Sequence, residues 1–485
     1  MKKKIIIYFC IVIIASMIFF PFFTMHYSTD TYRLIKMGYK RYSIEYSLND
    51  GRIFMYIIGQ LADKMNININ AYVVILTVLA IIISCICIIK LIGIMAKYKK
   101  KDEIIITSLI AYVTIMNFMY LENLYFTEGI VMSISILLFI LAAEYLNEKE
   151  NIIKVIILVL LGVFCYQGTI NVFITFYFVF ALIKNKKINK EIIKNMIIVM
   201  LISLFCIAIN MLQIKICGKI YGLEQTRTGS ISEIFANIIY IIANIYKILI
   251  YSSELFPKYL FLIFLISILI ITAIWDKKEN NKFSNTINIL LITVVAIISS
   301  VIINIVSLSS FGLGRMVFSI GALIGLIFIY LYCTTTIFEK QTNYKYVMIT
   351  ILIIYVIMNI LNTLNILNSH KQANKLDKEE TLKVNEYMLE YEQNNNIEIK
   401  NIAITYDKNV TWCYNELKHK SLYTHRALMI WWCNVDTINY YTSRNLQKVQ
   451  MKPEIYDTYF KDKDWDKLEK EQFIFEGDTM YYCVY

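Results

Sequence analysis

Residues 153–183 read IKVIILVLLGVFCYQGTINVFITFYFVFALI, and the way this stretch crosses a bilayer decides the fold. As one helix its 31 residues would reach about 46 Å, well beyond a hydrocarbon core of roughly 30 Å. Cys165, Tyr166, Gln167 and Gly168 put polar and flexible groups near its middle, where a turn would fall. The stretch therefore predicts a helical hairpin with Tyr166 and Gln167 at its tip.

Outward from the hairpin, apolar runs recur at 5–24, 71–96, 104–121, 129–146, 196–214, 257–275, 286–309, 316–335 and 346–367. With the hairpin they predict about 11 spans, an all-α polytopic transmembrane bundle. The lysines agree. With the amino terminus inside, Lys2 to Lys4, Lys97 to Lys101, Lys149, Lys154, Lys184 to Lys194, Lys277 to Lys282, Lys340 and Lys345 all fall in cytoplasmic loops. A single span at 153–183 would move the last ten of these, from Lys184 onward, to the other side, against the positive-inside rule. The amino-terminal MKKK and its apolar run have Phe22, Phe23 and Met25 where a small-residue cleavage site would sit, so they predict a retained first span.

Composition excludes the other classes. Of 485 residues 58% are hydrophobic and 18% charged, with 3 prolines and a mean hydropathy of +0.55. Disorder needs more charge, and a disulfide scaffold needs more than 10 cysteines in so long a chain. The net charge of +11 is spread over short loops between apolar runs, the pattern of membrane orientation and not of nucleic-acid binding. Six cysteines lie in apolar runs as small hydrophobes; Cys217, Cys413, Cys433 and Cys483 lie outside them, and three in the tail leave any pairing undetermined.

Residues 1–367 thus form a membrane domain with two outer loops, 25–70 and 215–258. Ile53 to Met65 in the first, and Ile234 to Ile250 in the second, predict helices lying on the membrane surface. Residues 368–485 predict a small extracytoplasmic α+β domain: a polar helix over 371–395, with strands at NIAIT (Asn401–Thr405) and MYYCVY (Met480–Tyr485). No internal repeat, Gly-rich phosphate loop or heptad run appears.

Transporters place ionisable groups within their spans. Here span middles are almost free of charge, and acids and arginines collect at the outer ends. The first loop carries Asp30, Arg33, Asp50 and Arg52, the second Glu224, Arg227 and Glu233. Asp30 suits a general base toward a hydroxyl, or part of a divalent-cation site, and equally a helix cap after Ser28 and Thr29. Arg33 would share its helical face. His26 reads as an interfacial residue. Arg52 in Asn49-Asp50-Gly51-Arg52 suits bidentate phosphate binding or headgroup anchoring. Arg315 in Phe311-Gly312-Leu313-Gly314-Arg315 is the single charge of its turn, with glycines that allow close backbone approach to a ligand. Glu122 and Glu128 flank a short outer turn, and Glu128 would also suit a helix amino terminus. Tyr166 and Gln167 fit sugar hydroxyls or a plain turn, and Trp412, Trp431 and Trp432 fit sugar stacking or core packing.

In order and topology, Asp30 with Arg33, the Asp50-Gly51-Arg52 turn, the Tyr166-Gln167 tip and Arg315 together resemble a GT-C type membrane glycosyltransferase. More narrowly, they resemble the second Gtr-type family of bacterial glucosyl transferases of O-antigen modification. Where such loops often carry two adjacent acids, this chain has Thr29 before a single Asp30. The resemblance implies a polyprenyl-phosphate-linked donor, a surface-polysaccharide acceptor and an inverting displacement at the outer face of the cytoplasmic membrane. Asp30 would be the base, and would hold any metal. Arg33, Arg52 and Arg315 would bind the donor phosphate, while Asp50, Glu122, Glu128, Tyr166 and Gln167 would bind substrate. A polysaccharide polymerase or a lipid-linked glycan flippase is the alternative reading.

Overall fold

In lipid a backbone must satisfy its own hydrogen bonds, so apolar runs of this length fold as helices. The computed structural model describes residues 2–99, 103–223, 231–280, 282–306, 314–339 and 342–485. In chain order the helices are α1 (Lys2–Ile18), α2 (Thr29–Tyr42), α3 (Ile53–Lys64), α4 (Ile69–Tyr98), α5 (Ile104–Ile115), α6 (Tyr120–Tyr125), α7 (Gly129–Asn147), α8 (Ile152–Tyr166) and α9 (Asn171–Asn185). They continue as α10 (Lys190–Tyr221), α11 (Ile231–Leu249), α12 (Leu260–Asn280), α13 (Ser284–Val306), α14 (Phe318–Gly321), α15 (Leu323–Thr334), α16 (Asn343–Asn395) and α17 (Asn434–Thr442). Seven helices among the described residues are long and apolar enough to cross a membrane, and four shorter apolar ones run over Ile6–Ile18, Ile104–Ile115, Asn171–Asn185 and Leu323–Thr334.

The chain forms two compact units, one of Met1–Phe23 with Lys40–Leu364 and the other of Thr24–Tyr39 with Asn365–Tyr485.

In the first unit α7 packs against α4, α8 and α9. The stretch at 153–183 divides as its composition predicts: α8 ends at Tyr166, a turn covers Gln167–Thr169, and α9 begins at Asn171. Both α9 and α15 are buried around their whole circumference, and they form the interior. By contrast α10 and α12 turn Ile197, Leu201 and Leu204, and Ile263, Ile266 and Ile270, outward. Such apolar stripes on the outside are what lipid contact requires. Between helices, hydroxyls and amides replace charge: Ser84 Oγ donates to Tyr120 Oη at 2.6 Å, and Asn288 Nδ2 donates to Tyr330 Oη at 2.7 Å.

The helix starts are written in the sequence as asparagines. Asn68, Asn151 and Asn189 each accept a backbone N–H of the following first turn, at 2.9 Å, and so cap α4, α8 and α10. Helix α11 is held at one end of the antiparallel α12–α13 hairpin. Asn237 Nδ2 donates to Ile305 O in the last turn of α13, at 3.0 Å, and the Tyr259 N–H just before α12 donates to Ile250 O, at 2.8 Å. α11 is thus tied, in its second turn and just past its last residue, to the same end of that hairpin.

Span interiors are less free of charge than their composition suggests. Glu144 of α7 is buried between Lys90 and Lys97 of α4, at 2.6 and 2.8 Å. Asp276 of α12 is buried and accepts bonds from Asn285 and Thr286 at the start of α13. Each of these charges is partnered near a helix end, which is why none stood out in an apolar run.

In the second unit four strands, β1 (Asn401–Tyr406), β2 (Gln447–Lys448), β3 (Phe473–Glu476) and β4 (Thr479–Val484), form a sheet of order β2-β1-β4-β3. β1 runs parallel to β2 and β4, and β3 pairs antiparallel with β4 through a two-residue turn with Gly477 at φ 57°. The two strands expected from sequence are β1 and β4, side by side; β2 and β3 are additional. The polar half of α16 covers the sheet, with Tyr387 stacked on Phe473 and Tyr391 on Phe475, ring centroids 4.6 and 4.4 Å apart. Beneath it lies a buried ionic group. Glu380 Oε1 accepts from Arg426 Nη2 at 2.7 Å and from Tyr482 Oη at 3.0 Å, and Asp377 Oδ1 accepts from the Ala427 N–H and Tyr414 Oη, both at 2.9 Å. All ten cysteines are free thiols, those of this unit buried.

Candidate functional site

The turn Asn49-Asp50-Gly51-Arg52 enters α3 through a backbone that only glycine accommodates easily. Gly51 has φ 82°, and a Cβ placed on it would lie 2.6 Å from the Asn210 side chain. Two amides of α10 and one of the Gln167–Thr169 turn hold it. Asn210 Nδ2 donates to Gly51 O at 2.8 Å, Gln213 Nε2 to Leu48 O at 3.1 Å, and Gln167 Nε2 to Asp50 O at 2.9 Å.

This places Arg52 among the other candidates. Its guanidinium donates to Glu128 Oε2, lies 3.5 Å from Asp50 Oδ2, and sits 5.3 Å from the centre of the Tyr166 ring. Arg52, Asp50 and Glu128 are all buried. Desolvating three charges is costly, and mutual attraction offsets it only while every partner stays in place. Three buried polar atoms here have no hydrogen-bond partner among the described residues: Arg52 Nε, Glu128 Oε1 and Gln167 Oε1. One is a donor and two are acceptors.

Glu122 and Arg315 form a second pair. Arg315 Nη1 donates to Glu122 Oε1 and its backbone N–H donates to Glu122 Oε2, both at 3.0 Å. The guanidinium lies 4.3 Å from the centre of the Phe126 ring. A Cβ on Gly314 would lie 2.8 Å from Glu122 Oε2, so the close approach that this glycine permits is to a carboxylate of the chain itself. Phe311, Gly312 and Leu313 lie outside the described residues, as do Glu224 and Arg227. Asn171 joins the two groups: its Nδ2 donates to Gly168 O at 2.9 Å and to Met316 O at 2.8 Å, and its Oδ1 accepts from the Ser319 N–H and Oγ.

Asp30 and Arg33 belong to the second unit. Asp30 is in the first turn of α2, where a carboxylate is favoured by the helix dipole. Ser28 and Thr31 bond reciprocally around that start: the Ser28 N–H donates to Thr31 Oγ1 at 3.1 Å, and the Thr31 N–H to Ser28 O at 3.0 Å. Arg33 Nη2 donates to Trp432 O at 3.4 Å. His26 is buried edge-on against His370, ring centres 5.9 Å apart. At Gly38 (φ 75°, ψ 162°) α2 breaks, and the chain passes back to the first unit.

Of the nine residues expected from sequence, Asp50, Arg52, Glu128, Tyr166 and Gln167 therefore form one cluster, Glu122 and Arg315 an adjoining pair, and Asp30 and Arg33 belong to the other unit. Sequence reasoning missed the amides Asn171, Asn210 and Gln213, and also Asn123, which is buried with neither side-chain polar atom bonded among the described residues. The signal was available: an amide inside an apolar run needs a partner. No group of three His, Cys, Asp or Glu side chains positioned for a metal occurs among the described residues.

Against known families, a model described as Glucosyl transferase GtrII matches residues 19–332, a stretch that includes all nine candidates. No curated protein and no solved structure matches the chain.

Proposed function

The chain belongs to the GtrII glucosyl transferase family, and from that premise we propose that it moves a glucosyl residue from a polyprenyl-phosphate carrier to a surface polysaccharide at the outer face of the cytoplasmic membrane. In this reading the chain crosses about 11 times with both termini placed by the positive-inside rule, so that the second unit is extracytoplasmic.

The reaction is a single inverting displacement. An acceptor hydroxyl attacks the anomeric carbon while Asp30 takes its proton, and the bond from that carbon to the phosphate oxygen breaks. The departing phosphate gathers negative charge, which Arg52 and Arg315 stabilise. A guanidinium has five N–H donors; Glu128 takes a hydrogen bond from Nη1, Asp50 is an ion-pair contact at 3.5 Å, and Nε has no partner, so phosphate has donors left to meet. Glu128 and Gln167 accept from sugar hydroxyls, with the ring against Tyr166.

The observation that supports this best is the trio of unpartnered buried atoms around Tyr166, one donor and two acceptors within a preformed charged cluster. A polyhydroxyl ring beside an anionic group supplies what they lack. The polymerase and flippase readings have no comparable support, since among the described residues the buried Glu144 and Asp276 are already partnered.

The test is chemical analysis of surface polysaccharide from cells with the gene deleted and then complemented. Wild type should restore one glucosyl side branch and Asp30→Asn should not. Restored branching by Asp30→Asn would remove Asp30 from its role, and a change of chain length in place of branching would favour a polymerase.

A further inference from the structure

The second unit carries an aromatic and charged patch that the catalytic reading above leaves unused. Trp431 is 67% exposed, an unusual state for the largest side chain in a unit with a well-formed core. It is nevertheless held in place. Lys448 Nζ donates to Trp431 O at 2.5 Å and lies 5.7 Å from the ring centre, and Trp432 packs edge-on at 5.7 Å between centroids.

The patch adjoins the start of α2. Besides the bond from Arg33 to Trp432 O, Lys36 Nζ pairs with Asp436 Oδ1 at 2.7 Å, so α2 and the segment Trp431–Asp436 are tied at two points. Asp30 is one turn before Arg33, on the same face. Its charge reaches the same segment: the Cys433 thiol is pushed up by burial first, then by Asp377 and Asp30.

We propose that Trp431 and Trp432, with Lys36, Asp436 and Lys448 at their edge, form the platform on which the acceptor glycan lies. This rests on the glucosyl-transfer reading above and names the part of the chain that recognises the acceptor. A sugar ring presents a C–H face that stacks on an indole, and hydroxyls at its rim that need donors and acceptors together. Trp431 gives the face, and the paired Lys36 and Asp436 give both kinds of rim partner. An anionic lipid surface would call for unbalanced cations instead. Here Asp436 answers Lys36, and Asp30 lies near Arg33.

The experiment uses the full-length protein in detergent micelles, with polyprenyl-phosphate glucose as donor and polysaccharide from the deletion strain as acceptor. Trp431→Ala should raise the acceptor KM about tenfold, the loss of roughly 1.4 kcal/mol of binding. Its kcat and donor KM should stay within about twofold, and Trp431→Phe should fall between the two. Titration with the polysaccharide should quench the fluorescence of wild type, and that of Trp431→Ala to a smaller extent and at about tenfold higher concentration. An unchanged acceptor KM in Trp431→Ala, or an equal rise in donor KM, overturns the platform while leaving glucosyl transfer intact. Absence of transfer by wild type overturns the function itself. A defect seen in vesicles of mixed anionic and zwitterionic lipid but not in micelles would assign the patch to the membrane and also overturn the proposal.

Discussion

The two ends of α7 show what burial does to an ion pair. Near Asn147, Glu144 meets Lys90 and Lys97, and Lys97 also reaches Glu148 at 2.5 Å; the Lys97 side chain is 49% exposed. Near Gly129, about 28 Å away along the helix axis, Glu128 meets Arg52, and both side chains are over nine-tenths buried. Lysine, a hydrated point charge on a flexible stem, serves where water remains, and arginine, whose planar fork fixes direction, serves where it does not. At the first end the lysines reach water although Glu144 itself is buried. At the second neither partner does, and so it keeps a defined geometry in which atoms can be left unsatisfied for a ligand.

The most severe way to break this comparison is Arg52→Ala. It leaves Glu128 and Asp50 buried without their cation and should cost about 3–5 kcal/mol, read as a lowered Tm in detergent, together with loss of glucosyl transfer. Arg52→Lys should recover part of the stability and little of the transfer, since the fork is gone. Wild-type stability and transfer in Arg52→Lys would show that charge alone matters, and equal behaviour of the two variants that charge contributes nothing without the fork.

A third buried group, in the second unit, sharpens the comparison. Asp377 lies beyond the apolar half of α16, and burial chiefly pushes its pKa up to about 7 against hydrogen bonds that lower it. An acid raised in this way is protonated in the folded state while the unfolded chain has already released its proton. Its contribution to stability is therefore complete below about pH 4 and is lost as pH rises through about 7. Asp377→Asn should remove that slope, worth a few kcal/mol by order of magnitude, in thermal melts between those pH values. His370, pushed down to about 4 by burial, acts in the opposite sense: its contribution is present above about 6.5 and lost as pH falls toward 4. The informative quantity is thus the difference between Asp377→Asn and wild type at each pH. A difference that does not vary with pH would sink the assignment.

The smallest effect belongs to the exposed end. Lys97→Ala removes one of two lysines on Glu144 and should change stability by no more than about 1 kcal/mol, with transfer unaffected. A loss as large as that of Arg52→Ala would abolish the distinction between the ends.

How much of this was legible in the sequence follows the range of each interaction. The break at Tyr166-Gln167-Gly168 could be read because a bilayer has a fixed thickness and a helix a fixed rise. The helix starts could be read because an asparagine cap bonds two or three residues on. Arg52, Glu128 and Gln167 stood out as polar groups at the ends of apolar runs, yet nothing in one strand of text pairs residue 52 with 128 or 167. For the same reason Asn210 and Asn171 passed as tolerated amides in apolar helices. The assignment of Thr24–Tyr39 to the unit of the tail was equally hidden, because contacts such as Tyr27 Oη with Tyr440 Oη, 2.8 Å apart, span over four hundred residues.

Asn171 has spent every hydrogen bond an amide can make, two given and two received. It works as a rivet with no play between the Gln167–Thr169 turn and the Gly314–Met316 turn. If Arg315 binds the donor phosphate as proposed, any displacement of it is shared with the turn next to Tyr166. Two turns that lie about 150 positions apart in the chain are thus fastened to one side chain.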